Sequence, residues 1–381
     1  MGRTAHRISI VCLGPPSPLV QQALCKLVDE LGVPGETAGA RSAKGPLPMT
    51  SAPFAVLGFS GGVCSPFDAE SYFHCHADVR GGGVADAGAA LMHFVRHGLA
   101  AGYSWHGPEA PAFEHLVIHC EVAEAELMAQ WRRAGAHIIA VLDDPVAAAR
   151  HLLACGVSVR DAVARIAHSF SSLHDLVVDG VVPLVSRADG EGEARAGLAH
   201  ALEPGAVASR RTGEPNVAVG PFAERGGVDD DDGLEALLGD YRPLLAGRPV
   251  TVVNWPAQVF HRPDAVEGEA GAEIDMTGPA RALAVGPYFS VPPGSWSCRA
   301  EFSVADNHGG CSFVVDVYQL GAVNRALAEH AFTLPEQGTY ALRLAFETED
   351  PHAPVENRFQ LREGLIGGRF QVHGSRLSRV T

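Results

Sequence analysis

The hydrophobic period of this chain changes near its middle, and no single compact fold accommodates both halves. Up to about residue 179, short apolar runs ("ISIVCL", "FAVLGF", "HLVIHC", "HIIAVL" and "LVVDGVV") alternate with helical patterns ("SPLVQQALCKLVDEL", "DAGAALMHFVRHGLA" and "AEAELMAQWRRAG"). Strands alternating with helices build a mostly parallel sheet covered by helices. From about residue 249 the period falls to two, in "VTVVNW", "CRAEFSV", "CSFVVDVYQL", "TYALRLAFET" and "GGRFQVHGSRLSRV", with turn residues between the runs. Evenly spaced strands without helices predict a β-sandwich or jelly roll. Between them Gly, Ala, Pro and acidic residues dominate, and one short helix is readable at "GLEALLGDYRPLL". The expected organisation is an α/β domain over 1–185, a linker over 186–248, and an all-β domain over 249–381 that folds alone. A chain of 381 residues is long enough for two cores.

Charge and targeting signals narrow the function. The formal net charge of −15 repels nucleic acid and anionic lipid over most of the surface. Only Lys26 and Lys44 are lysines, so the remaining basic residues are arginines. The first apolar run is too short for a signal peptide, and no later stretch reaches membrane-spanning length, so a cytoplasmic protein without a membrane span is expected. The eight cysteines form no CxxC pair, which predicts free thiols and no zinc knuckle; spacing leaves open whether Cys298 and Cys311 pair. The acidic "VDDDDG" lacks the alternating ligands of a calcium loop.

The turn after the first strand, "GPPSPLV", starts a well-specified helix. Ser17 suits the N-cap, Pro18 the first helical position, and Leu19, Val20, Ala23, Leu24, Leu27, Val28 and Leu31 line one face. A phosphate cradle needs free N–H groups, a basic side chain and hydroxyls at the helix start, and this turn supplies prolines and aliphatics instead. The first half nevertheless resembles the sulfotransferase family, on three landmarks in order. The family's P-(K/R)-S-G-(T/S)-(T/S) turn is matched at Pro15 and Ser17, while Pro16, Pro18, Leu19 and Val20 replace the basic residue, the glycine and both hydroxyls. Its catalytic strand end, commonly K-T-H, is matched at His119, with Val117 at the lysine. Its 3'-phosphate segment is followed in outline by "AGAHIIAVLDDPVAAARHLLACG", which keeps Gly135, Ile138, Ile139, Asp144 and Pro145 but places Asp143 at the arginine and His151 at the serine. The resemblance implies a P-loop-type α/β fold, His119 as a vestigial catalytic base and Ser17 as a vestigial contact to the donor, 3'-phosphoadenosine 5'-phosphosulfate. An arginine-to-aspartate exchange turns a charge-assisted contact of roughly 1.5–3 kcal/mol into a repulsion. No cofactor is therefore expected. His119 then reads either as a general base or as a strand-end histidine satisfied by backbone.

Other candidates compete with this reading. His74 and His76, with Asp78, resemble the H-x-H strand motif of metal-dependent hydrolases, and alternate residues on a strand share a side. Too little regular α/β chain follows for the barrel those enzymes use, so no metal is expected. In the second half, "GPARALAVGPYFSVPPGSWSCRAEFSV" and "VENRFQLREGLIGGRFQVHGSRLSRV" resemble the jelly-roll modules of polysaccharide-biosynthesis proteins, akin to carbohydrate-binding modules. Tyr288, Trp296 and Tyr318 are the candidates to stack on sugar rings; the alternative for each is a place in the core. The expected function is a catalytically degenerate sulfotransferase-like protein that binds or scaffolds in bacterial surface polysaccharide biosynthesis, with a glycan or synthesis proteins as partners and an open oligomeric state. The alternatives are an active glycan sulfotransferase whose donor site is rebuilt from arginines such as Arg80, Arg150 and Arg160, and a hydrolase using His74 and His76.

Overall fold

A computed structural model describes residues 7–17, 19–20, 50–51, 54–58, 69–82, 89–90, 93–98, 103, 115–133, 135–179, 181, 184–185, 231–261, 273–307, 310–321, 323–334 and 337–380. Most of the helix expected after Ser17, and linker residues 186–230, lie outside this set. By their contacts the described residues fall into two compact units, one within 1–152 and 179–222, the other within 153–178 and 223–381.

The first unit is built on one sheet of β1 (Arg7–Leu13), β2 (Thr50–Ser51), β3 (Phe54–Gly58), β4 (His115–Cys120), β5 (His137–Leu142) and β6 (Leu184–Val185), in the order β2-β3-β4-β1-β5-β6. Every pairing is parallel except β2 with β3. β1 is flanked by β4 and β5, so the chain runs to one side of β1 first and to the other afterwards. In such sheets the crevice at the carboxyl ends of the strands, at the switch point, is where ligands bind. Helices α1 (Ala69–Cys75), α2 (Ala77–Gly81), α3 (Ala125–Arg133) and α4 (Pro145–Ala154) belong to the intervening segments. α3 buries Leu127, Met128 and Trp131 on one stripe and ends on Arg132 and Arg133, which suit the negative end of its dipole. Asp144 caps α4: its Oδ1 accepts from the N–H groups of Val146 at 3.0 Å and Ala147 at 3.1 Å, with Pro145 at the first helical position.

The run "LVVDGVV", expected to be a strand, instead begins inside α5 (Val159–Val178). Buried Ala162, Val163, Ile166, Ala167, Phe170, Leu173 and Val177 keep helical spacing through the last turn, and that face outweighs the β preference of Val177 and Val178. Ser158 starts the helix by accepting from the Asp161 N–H at 3.2 Å and donating to its carboxylate at 2.7 Å, a reciprocal cap. α5 groups with the second unit rather than with the α/β pattern in which the sequence set it. The helix read within the linker, now α6 (Asp231–Leu238) followed by a 3₁₀ helix (Gly239–Ala246), groups there too.

The second unit is a jelly-roll β-sandwich. One antiparallel sheet has the order β13 (Gly338–Thr348), β10 (Gly294–Ala305), β15 (Arg369–Arg379), β7 (Val252–Pro256), with β8 (Ile274–Asp275) also on β15. The other has β12 (Arg325–Leu334), β11 (Cys311–Gln319), β14 (Val355–Leu361), β9 (Ala282–Phe289). Even positions of β10 and odd positions of β11 point inward, and Phe302 lies 5.7–6.2 Å, ring to ring, from Phe313, Phe332, Tyr340, Phe359 and Phe370. Two satisfied polar bridges join the sheets: Gln319 donates to Thr348 at 2.9 Å, and Ser375 donates to Asn357 at 2.9 Å. The edge strands β7 and β9 are covered by helices, since α5 packs on β9, α6 and the 3₁₀ helix pack on β7, and the helices pack on one another. Ser171 and Tyr241 both donate to the Ser290 carbonyl, at 3.1 and 2.9 Å. An edge strand with unpaired backbone groups invites aggregation, and this helical cover removes that hazard on one side. Cys298 and Cys311 are both buried free thiols; burial pushes them up to about 12 and about 11, with Ser375 beside the first and Asn307 beside the second.

Candidate functional site

The strand ends of the α/β unit gather three of the residues that the sequence singled out, in a closed arrangement. Gly14, at φ 150°, donates its N–H to the Cys120 carbonyl at 3.0 Å; a Cβ there would lie 1.9 Å from the Val141 carbonyl oxygen, so only glycine fits. His119 is fully buried, and its Nε2 lies 3.1 Å from the Gly14 carbonyl oxygen. A carbonyl only accepts, so Nε2 carries the proton and points it into backbone. Burial holds the imidazole at about 4, below its ordinary value of 6.5, so it is neutral at physiological pH. Ser17 is also fully buried and accepts from the Val20 N–H at 3.2 Å. Asp143, at the end of β5, receives the Ser17 hydroxyl and the N–H groups of Leu19 and Asp144. Burial raises its pKa despite those bonds. The chain's own carboxylate thus takes N–H groups at the helix start that would otherwise face an anion.

The arginines of the rebuilt-site alternative are placed as follows. Arg80 pairs with Glu70 at 3.6 Å and lies over the Phe73 ring at 4.9 Å. Arg150 is exposed on α4, and Arg160 belongs to the second unit. The H-x-H pair is corrected as well: His74 is exposed in α1, and His76 sits at the break before α2 with its ring stacked on Tyr103 at 4.1 Å. A helix and its terminus, not a strand, hold these two residues, so the shared-side argument fails. Among the described residues no three His, Cys, Asp or Glu side chains are grouped to hold a metal ion.

The outer face of β11, β14 and β9 holds a second constellation. Register sets Asp316 opposite Arg358, Tyr318 opposite Glu356, and Glu356 opposite Pro287. Arg358 donates to Asp316 through Nε at 2.8 Å and Nη2 at 2.7 Å, and Gln360 adds a third bond at 3.0 Å. So pinned, the guanidinium lies 3.6 Å from the Tyr318 ring centroid. Tyr288 stands on the other side of Glu356, to which its hydroxyl is hydrogen-bonded, and Arg160 of α5 lies 5.1 Å from its ring centroid. Burial raises the pKa of both Glu356 and Tyr288. Two features carry a cost: Tyr288 holds φ at 68°, roughly 1–3 kcal/mol for a bulky residue, and Glu356 Oε2 is buried without a hydrogen-bond partner. Strained backbone and unsatisfied polar atoms cluster where ligands bind. Trp296, the third aromatic candidate, is instead a core residue: it is fully buried at an inward position of β10, and its indole N–H donates to the Pro292 carbonyl at 2.9 Å. Asp316, Glu356, Arg358 and Gln360 went unnoticed in the sequence, although they take alternate positions in the strand runs "FVVDVYQ" and "VENRFQL".

No family model and no curated protein sequence matches the chain. Among solved structures it is similar to a carbohydrate-binding module described as "CBM4 structure and function", at 14% identity over 33% of this chain and 94% of that one, with a TM-score of 0.25. It is also similar to a family 16 carbohydrate-binding module, at 16% identity over 33% and 90% with a TM-score of 0.23. A third likeness is to the family 11 module of a cellulosomal cellulase of Clostridium thermocellum, at 15% identity over 34% and 88% with a TM-score of 0.21.

Proposed function

We propose that this protein binds a saccharide on the outer face of β11, β14 and β9, and that its α/β unit is a catalytically degenerate sulfotransferase-like domain, the whole serving as a binding component in polysaccharide assembly. The observation that carries the reading is the row Tyr318, Glu356, Tyr288 across three neighbouring strands, beside an Arg358 already fixed by Asp316 and Gln360. Rings flanked by fixed polar groups suit a pyranose, whose C–H face meets the ring while its hydroxyls meet the donors and acceptors. The degenerate reading of the first unit is supported by Asp143 on the helix-start donors and by the tied proton of His119.

Calorimetric titration tests both halves. Adenosine 3',5'-bisphosphate, the product of the family's donor, is expected to show no binding up to millimolar concentration; micromolar binding would replace the degenerate reading with the active-transferase alternative. Oligosaccharides are expected to bind, and Tyr318→Ala to weaken them about tenfold or more, a loss of about 1.4 kcal/mol. Full affinity in that variant would remove the proposed face.

A further inference from the structure

We propose that the saccharide taken by this face carries an anionic substituent, a carboxylate or a sulfate ester, and that Arg160 recognises it. This rests on the saccharide reading above and names the class of ligand. Arg160 and Arg358 are used differently at this face: Arg358 is paired with Asp316 and lies 3.8 Å from Glu356. Arg160 has no carboxylate partner among the described residues and is held only by the Tyr288 ring. A ring holds a guanidinium without consuming its N–H donors, which stay available for a bidentate acceptor. Asp161 follows it directly, but successive helix positions do not face each other, and Asp161 is taken by Ser158.

The charge balance at the face points the same way. Arg358 lies against both Asp316 and Glu356, whereas Arg160 has only the Tyr288 ring among the described residues. The net charge of −15 on the whole chain repels a polyanion, so the geometry fits an isolated acidic group on an otherwise neutral saccharide.

The test is a glycan array carrying neutral, uronate-bearing and singly sulfated oligosaccharides, probed with the full chain and with Arg160→Gln, followed by calorimetry on the strongest pair. An acidic oligosaccharide should bind about tenfold more tightly than its neutral counterpart, and Arg160→Gln should erase that difference. Whether uronate or sulfate probes show the preference identifies the acidic group. Neutral and acidic probes bound equally, or a preference that survives Arg160→Gln, would overturn the role of Arg160 and leave the saccharide face standing. Absence of binding to every probe would overturn the saccharide reading together with it.

Discussion

Replacing Phe170 with alanine should lower the melting temperature of the sandwich, although Phe170 lies on none of its strands. The ring is fully buried on α5 and meets Tyr241 edge-on, with centroids 6.0 Å apart, beside the two hydroxyls that hold the Ser290 carbonyl. Truncating a buried phenylalanine to alanine costs about 3–5 kcal/mol, of which the aromatic pair accounts for about 0.5–1.5 kcal/mol. For a unit of this size each kcal/mol moves the midpoint by about 2–4 °C, so a drop of about 6–20 °C is expected. Calorimetry on the full chain reads it, with Leu127→Ala on α3 as a control that perturbs the other unit. Amide exchange along β9 should accelerate in the Phe170 variant and not in the control. A sandwich transition that moves by less than about 2 °C, with β9 still protected, would refute the assignment of α5 to the second unit.

Two further outcomes follow from the same structure. A fragment of residues 249–381 should melt without cooperativity, contrary to the expectation from periodicity alone, because it lacks Phe170 and Leu173 of α5 and Leu234, Leu238, Tyr241 and Leu244 that close the β7–β9 edge; circular dichroism through a thermal scan decides it, and a sharp transition would count against the helical cover. The first unit should lose stability as pH falls from about 6.5 to about 4, because the unfolded chain takes up a proton that buried His119 refuses in the fold. That loss amounts to about 3 kcal/mol over the window and is absent above it. His119→Gln, which keeps a donor for the Gly14 carbonyl, should flatten this dependence in urea titrations at several pH values.

The coarse layout was legible because hydrophobic period is a local property. The parallel strands at β1, β3, β4 and β5 coincide with apolar runs quoted from the sequence, and the change of period marks the all-β half. What failed were readings that depend on partners distant in the chain. β-branched residues at the end of α5 read as a strand until the buried stripe from Ala162 to Val177 is set against the sandwich. Trp296 follows a Pro-Pro-Gly-Ser turn and reads either as a sugar-stacking ring or as core, and only the register of β10, which turns its even positions inward, decides for the core. The Asp316–Arg358 pair spans 42 residues, and nothing short of strand register could set it beside Tyr318. Asp143 was legible as a lost arginine, but its bonds to Ser17 and Leu19 appear only when β5 lies beside β1.

Helix α5 ties the stability of the sandwich to its proposed chemistry. Phe170, Leu173 and Val177 are buried on α5, which packs on β9, and Arg160 lies ten residues from Phe170, about 15 Å, nearer the N-terminus of the same helix. A long cationic side chain on a loop would lose roughly 2 kcal/mol of rotamer freedom when it engaged a ligand. On a helix whose far end is buried, with the Tyr288 ring beneath the guanidinium, much of that ordering is already in place before a ligand arrives. The cost moves into the fold: an extra element must be ordered, and Tyr288 must hold a left-handed backbone to present its ring there. An arrangement that only closed a sheet edge would need neither the strained tyrosine nor an arginine without a carboxylate partner among the described residues, whereas one that presents a preorganised cation beside a polar, ring-lined face uses both.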